Sequence, residues 1–300
     1  MVIYMINLEQ SQAIFQKIYP DEYLCELLSE YIGRHKLKIK MCLALCRNGR
    51  WELFLKKDPF FKLCLVFAYL PEVWRQYEAK GIGEDIFFDT MGDIRIWIDD
   101  HHSRTGEYGL FELNWIMHHM RLNIFKLGRL QFQKFKYYFS PVYKKNGVTI
   151  RFGENVLNIH IPRGEKLDIS SCRQSIRRAG EFFSKYYPEY PTDRFICHSW
   201  MLYTGNKKYM KSESNILKFA NMFDIVDERE APSQAYLWIF GVKVKNTALM
   251  LSKKNNGSYG FTKELTQKTS LQKSAVDYIE DGGTLGEGMG VLTVKAKIIP

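Results

Sequence analysis

The stretch Val156-Leu157-Asn158-Ile159-His160-Ile161, followed by Pro162-Arg163-Gly164-Glu165-Lys166-Leu167-Asp168 and then Ser171-Cys172-Arg173-Gln174, decides the fold. It reads as a strand, a short polar loop and a sharply capped helix. Val156, Ile159 and Ile161 are β-branched and suit a pleated surface, and Pro162 closes the run because it cannot donate to a ladder. Ser171 and Gln174 have the spacing of a capping box, which satisfies two free N–H groups at a helix start. A helix that begins just after a strand and loop offers N–H donors and partial positive charge where a phosphate can sit. Arg163, Lys166 and Arg173 surround that point.

Working outward, Arg129–Phe135 alternates polar and apolar residues, and Val148–Phe152 follows before the turn signal Gly153-Glu154-Asn155. Three strands joined by short loops predict an antiparallel meander. Beyond the capped helix, the pattern predicts a strand at Arg194–Leu202, a helix at Ser212–Phe223 and a strand at Ala235–Val242. A helix at Leu271–Glu280, a Gly-rich turn at Gly283–Gly290 and a strand at Val291–Ile298 complete this half.

The first half differs. Phe87, Met91, Ile94 and Ile98 recur at helical spacing across Ile86–His102, and Leu110, Leu113, Ile116 or Met117, and Met120 repeat the pattern after Arg104-Thr105-Gly106. Pro71 is expected to interrupt an earlier apolar helix, and Gly81 and Gly83 to end the segment after it. The fold class is therefore α+β: a helical N-terminal domain over 1–122 and a mixed α/β sheet domain over 123–300.

Of 300 residues, 46% are hydrophobic and 15% aromatic, which excludes a disordered chain. No run is long and apolar enough to span a bilayer, Phe60–Leu70 being too short and interrupted by Lys62. Met1–Leu8 lacks the basic start of a signal peptide, so the expectation is a soluble, cytoplasmic protein with no membrane partner. The net charge of +10, from 43 basic and 33 acidic side chains, is scattered and favours anionic ligands in general. No nucleic-acid motif accompanies it, so a nucleic-acid partner is not expected.

Cys25, Cys42, Cys46, Cys64, Cys172 and Cys197 form no CxxC pair and read as reduced thiols. Asp99-Asp100-His101-His102 with Glu112, His118 and His119 has ligand types but no recognised metal spacing, so no metal is expected. Trp97, Trp115, Trp200 and Trp238 read as core anchors. His160 and His198 are the candidate proton acceptors, because imidazole titrates near neutrality; a hydrogen-bonded core histidine is the alternative for each. Cys197 and His198 alternate along one strand and so face opposite ways. Ser199 has no Gly-x-Ser-x-Gly elbow, which argues against a hydrolase nucleophile.

The element order, with Gly109–Ile116, Gly128-Arg129-Leu130-Gln131-Phe132, His160-Ile161-Pro162, Cys197–Leu202, Ser214–Phe219 and Thr269–Gln272, resembles a bacterial two-domain family. That family joins an N-terminal acyltransferase-associated helical domain to a GNAT-like C-terminal domain. The resemblance runs from about Gly81 to Val291. It implies transfer of an acyl group, with acetyl-CoA as the expected co-substrate, to a small-molecule or peptide amine. It further implies that a splayed strand end at His160, Ile161 and Pro162 meets pantetheine. Arg163, Gly164, Lys166, Ser171, Cys172 and Arg173 would lie at the pyrophosphate. His160 is the expected general base, His198 its alternate, and Ser199 a hydrogen-bond partner for the leaving thiolate.

GNAT enzymes typically carry Gln/Arg-x-x-Gly-x-Gly/Ala in this loop, whereas this chain has only Gly164, beside Glu165 and Asp168. A second reading follows: a GNAT-like fold that binds without catalysing.

Overall fold

The computed structural model describes residues 6–145, 147–242, 262 and 265–294. They form two compact units: residues 6–133 with Ile161–Gly164, and the described residues of Lys134–His160 with those from Glu165 onward.

The first unit holds α1 (Leu8–Ile18), α2 (Glu22–Arg34), α3 (Lys36–Arg47), α4 (Pro59–Lys80), α5 (Glu84–Met91), α6 (Asp93–Thr105) and α7 (Leu113–Met120). Helix α4 is its axis, packed against α1, α2, α3 and α7. Asp58 caps it by accepting from the Phe61 N–H at 3.0 Å, Pro59 opens its first turn, and Gly81 ends it in the left-handed region. It runs unbroken through Pro71, against expectation. Proline in a helix interior costs about 3 kcal/mol, but Phe61–Val73 is buried throughout, and that packing holds the helix together. The expected single helix over Ile86–His102 is instead α5 and α6, divided at Gly92, where helix propensity is lowest.

Among the described residues, the sheet has six strands in the order β1-β2-β5-β6-β8-β7. These are β1 (Ile124–Lys126), β2 (Gln131–Lys136), β5 (Asn155–His160), β6 (Arg194–Ser199), β7 (Asp224–Arg229) and β8 (Glu287–Thr293). β3 (Val142–Lys145) and β4 (Val148–Arg151) form a separate hairpin. The expected meander is thus corrected: β4 leaves the main sheet, and β5 returns to lie beside β2.

Helix α8 (Ile169–Tyr186) lies between β5 and β6 in sequence, α9 (Asn215–Ala220) follows β6, and α10 (Ser270–Glu280) precedes β8. A capping box between Thr269 and Gln272 starts α10.

Three further differences have physical causes. Ala235–Val242 is not a strand; Ser233–Ala235 is a helical turn continued by a π-helical segment, Tyr236–Phe240, and closed by Gly241. A short apolar run does not reveal its period. Here Ala235, Tyr236, Ile239 and Phe240 share a core with Trp200, Ala275, Val276 and Ile279, which leaves Trp238 exposed rather than anchored. Strand β7 escapes the sequence because it is the sheet edge, where charged residues such as Asp227, Glu228 and Arg229 are tolerated.

Finally, Gly288 and Gly290 are not in a turn but inside β8. A Cβ on Gly288 would lie 2.6 Å from the Leu202 carbonyl oxygen, and one on Gly290 would lie 2.8 Å from Phe223 Cβ. The part of the expected last strand beyond residue 294 lies outside the described residues.

Candidate active site

The site is built on two parallel strands. β5 and β6 pair through Leu157 with Phe195 and Asn158 with Ile196. Ile159 and His160 on β5, and Cys197, His198 and Ser199 on β6, continue outside that register. Val156 and Ile196 share one core cluster, so alternation places Asn158 and His160, and likewise His198, on that same face. The two imidazoles stand at equivalent positions on neighbouring strands, where the ladder has stopped.

Each ring has a partner. Asn158, two residues back on β5, donates its amide Nδ2 to His160 Nε2 at 3.1 Å. That contact occupies the Nε2 lone pair. His198 Nε2 lies 3.1 Å from Glu287 Oε1, at the start of β8. Glu287 reaches His198 because Ser199 pairs with Gly288 and His198 with Met289, which puts Glu287, two residues along the strand from Met289, on the imidazole's face. Phe139 meets the His198 ring edge-on. The Tyr138 phenol is pushed up by burial, with Arg229 opposing and Glu287 reinforcing the shift.

Sequence reasoning missed Glu287. Its only signal was a lone carboxylate within a glycine-rich run, and only strand pairing reveals its register. Ser199 is not brought to the imidazoles. It points to the opposite face of β6, is buried, and accepts the Met201 N–H at 3.2 Å to cap a short 3-10 turn. Cys197 is fully buried, and burial pushes its thiol far up.

At the start of α8 the cap is Asp168, three residues before the Ser171 expected from sequence. Its Oδ2 accepts from the Ser170 hydroxyl at 2.5 Å, the Ser171 N–H at 2.8 Å and the Ser171 hydroxyl at 2.9 Å. These bonds hold the carboxyl at a pKa of about 2. The Cys172 N–H goes to the Asp168 carbonyl, so the donors of Ser171 and Cys172 are already used. The Cys172 side chain is buried, whereas Lys166 and Arg173 are exposed.

Ile161–Gly164 groups with the first unit. There Arg163 donates to Asp100 at 3.0 Å, a carboxylate that also holds Arg104 at 2.9 Å, and the Pro162 carbonyl accepts from Arg129 at 3.1 Å. Gly164 sits at φ 98°, a left-handed conformation that favours glycine.

The histidines and carboxylates of the first unit are dispersed rather than gathered. His119 Nε2 faces buried Asp93 at 3.4 Å, and Asp93 also accepts from the indoles of Trp115 at 2.6 Å and Trp97 at 3.2 Å. Burial opposes the Asp93 charge, but His119 and the two indoles outweigh it, and its pKa falls below the ordinary carboxylate value. His118 bonds to Asn123 and His101 to the Glu107 carbonyl. Among the described residues, no group of His, Cys, Asp or Glu could hold a metal ion.

A helical unit followed by a mixed sheet, whose central parallel pair stops short of two imidazoles, defines a two-domain acyltransferase architecture. Two family models match in succession: the N-acyltransferase N-terminal domain over residues 21–122 and the GNAT-like C-terminal domain over residues 124–292. The second covers more than half of the chain, and the protein belongs to this GNAT-like family.

Among solved structures, the chain is similar to an acyltransferase mutant in complex with octanoyl-CoA, at 19% identity and TM-score 0.73, over 96% of this chain and 88% of that one. It is also similar to an acyltransferase in complex with decanoyl-CoA and teicoplanin, at 21% identity and TM-score 0.65, over 79% of this chain and 67% of that one. At these identities the likeness concerns the fold. Comparison with curated proteins finds no match. Among the described residues, no helix is long and apolar enough to cross a membrane.

Proposed function

We propose that this protein transfers an acyl group from an acyl-CoA to an amine, with the reaction centred where β5 and β6 part. The observation that carries the reading is the ladder ending at Asn158 and Ile196 with His160 and His198 beyond it on one face. An ammonium acceptor must lose a proton before its nitrogen can attack a thioester. Of the two imidazoles, His198 suits the role better. Glu287 Oε1 lies 3.1 Å from its Nε2, so a carboxylate faces the side of the ring away from Nδ1, the nitrogen left to take the proton. His160, the base expected from sequence, has its Nε2 lone pair engaged by Asn158 and is the second candidate.

In the proposed step the ammonium first gives up one proton to solvent, and His198 Nδ1 takes the second as the nitrogen attacks the thioester carbon. The C–S bond then breaks, and the proton held by His198 goes on to the thiolate, leaving a neutral amide and the free thiol. The CoA phosphates are assigned to the start of α8, with Lys166 and Arg173 as cationic partners. Arg163, committed to Asp100, is less available to them. The octanoyl- and decanoyl-CoA bound by proteins of this fold support a medium-chain donor in place of acetyl-CoA.

The test is thiol release from acetyl-, octanoyl- and decanoyl-CoA with a panel of amines. His198→Ala should lower turnover by about 10²–10⁴-fold with CoA affinity nearly unchanged, and Glu287→Gln by less. Full turnover in His198→Ala would transfer the role to His160. No thiol release with any pair would favour the second reading, a binding module, which the anionic Asp168 cap at the phosphate position supports.

A further inference from the structure

Helix α3, Lys-Leu-Lys-Ile-Lys-Met-Cys-Leu-Ala-Leu-Cys-Arg, has two apolar faces. Ile39, Leu43 and Cys46 are buried in the first unit. On the opposite side Leu37, Met41 and Leu45 recur every fourth residue and are 79%, 71% and 39% exposed. One helical repeat separates each from the next, so they form a single stripe about 12 Å long. Leu53, on the following turn, is exposed as well.

The stretch of chain around this stripe carries basic residues alone, two of which are paired with carboxylates from outside it, Arg34 with Glu30 and Arg47 with Glu72. From Tyr31 to Trp51 there is no Asp or Glu, while Arg34, Lys36, Lys38, Lys40, Arg47 and Arg50 all fall within it. Lys36 and Lys40 lie along one flank of the stripe by helical phase, and Lys38, its ammonium 4.8 Å from the Phe61 ring centroid, along the other.

We infer that this face of α3 lies on an anionic lipid surface, as an interfacial helix rather than a spanning one. An apolar centre with lysines on both flanks is what the boundary between lipid headgroups and acyl chains selects: the stripe enters the boundary, and the ammonium groups reach the phosphates. A second copy of the chain is a poorer occupant, because two such faces would bring like charges together. Nucleic acid would use the lysines and leave the leucines and methionine in water. A convex helix flank also fits a deformable surface without a preformed groove. The absence of a spanning helix among the described residues is a separate matter, since an interfacial helix needs neither the length nor the uniform hydropathy of a span.

Co-sedimentation with lipid vesicles tests the inference with the intact protein. Vesicles of phosphatidylcholine containing about one-third phosphatidylglycerol should bind it, pure phosphatidylcholine should not, and salt should weaken the binding. Leu37→Gln with Met41→Gln should lower partitioning by roughly tenfold, and Lys36→Gln with Lys40→Gln should lower it similarly. All four side chains lie on the outward flanks of α3, so an unchanged circular dichroism spectrum and melting temperature serve as the folding control. The inference is overturned if the wild-type protein ignores anionic vesicles, or if the leucine–methionine variant binds them as well as wild type. It is equally overturned if sedimentation velocity finds a dimer that this variant abolishes while vesicle binding is absent.

Discussion

At the residue scale, Asp168 concentrates the tension in this molecule. It caps α8 well, yet it sets a carboxylate where a phosphate is expected. Asparagine keeps an N-cap acceptor and removes the charge. If the CoA pyrophosphate sits at this turn, Asp168→Asn should tighten CoA binding by about two- to fivefold, the scale of one charge at a helix end. Calorimetric titration checks this, and unchanged or weaker binding would place the phosphates elsewhere.

The acid dependence has a definite sign. The folded carboxyl titrates at about 2, below its ordinary value near 4, so its stabilisation is complete above that ordinary value and fades as pH falls toward about 2. Melting differences between wild type and Asp168→Ala should therefore be constant near neutrality and shrink in acid. Asp93 is the buried counterpart. Asp93→Ala strands the His119 ring and two indole N–H groups, and should cost about 3–5 kcal/mol in a urea titration.

At the element scale, β8 is the strand on which the candidate site depends, because it lies between β6 and β7 and carries Glu287 to His198. Its glycines are required by close approach, not by a turn. Alanine normally suits a strand better than glycine, but at position 288 the new methyl would meet the backbone of Leu202. Gly288→Ala should destabilise by about 1–3 kcal/mol, read as a lower urea midpoint at constant m-value. A neutral or stabilising result would mean that the Leu202 turn yields easily. The same packing explains why a glycine-rich run looked like a loop: composition does not distinguish a residue that must bend from one that must leave room.

At the scale of the whole molecule, the two units do not divide where the helical pattern ends. β1 and the start of β2 group with the helices, Phe125 packing against Tyr77 with ring centroids 5.9 Å apart and the Lys126 N–H reaching Thr90 at 3.0 Å. A fragment ending at Leu122 leaves the Tyr77 and Phe87 surface uncovered. It should melt at a lower temperature, and less cooperatively, than one ending at Gln133; equal melting curves would show that β1 contributes nothing to that unit.

The sequence by itself determined the α+β class, the change from helical to alternating periodicity, the strand–loop–helix at Val156–Gln174 and the two imidazoles. All of these follow from local period, turn chemistry and residue type, which a chain carries without its neighbours. Only the tertiary structure decided that Pro71 leaves α4 unbroken, that Tyr236–Phe240 is helical, that β4 quits the main sheet and that Asp168 rather than Ser171 caps α8. Only it paired Glu287 with His198, residues 89 positions apart in the chain. The reason is physical. Burial can outweigh a local preference by several kcal/mol, and strand register, which chooses the partner of each side chain, is a relation between distant segments that no single stretch contains.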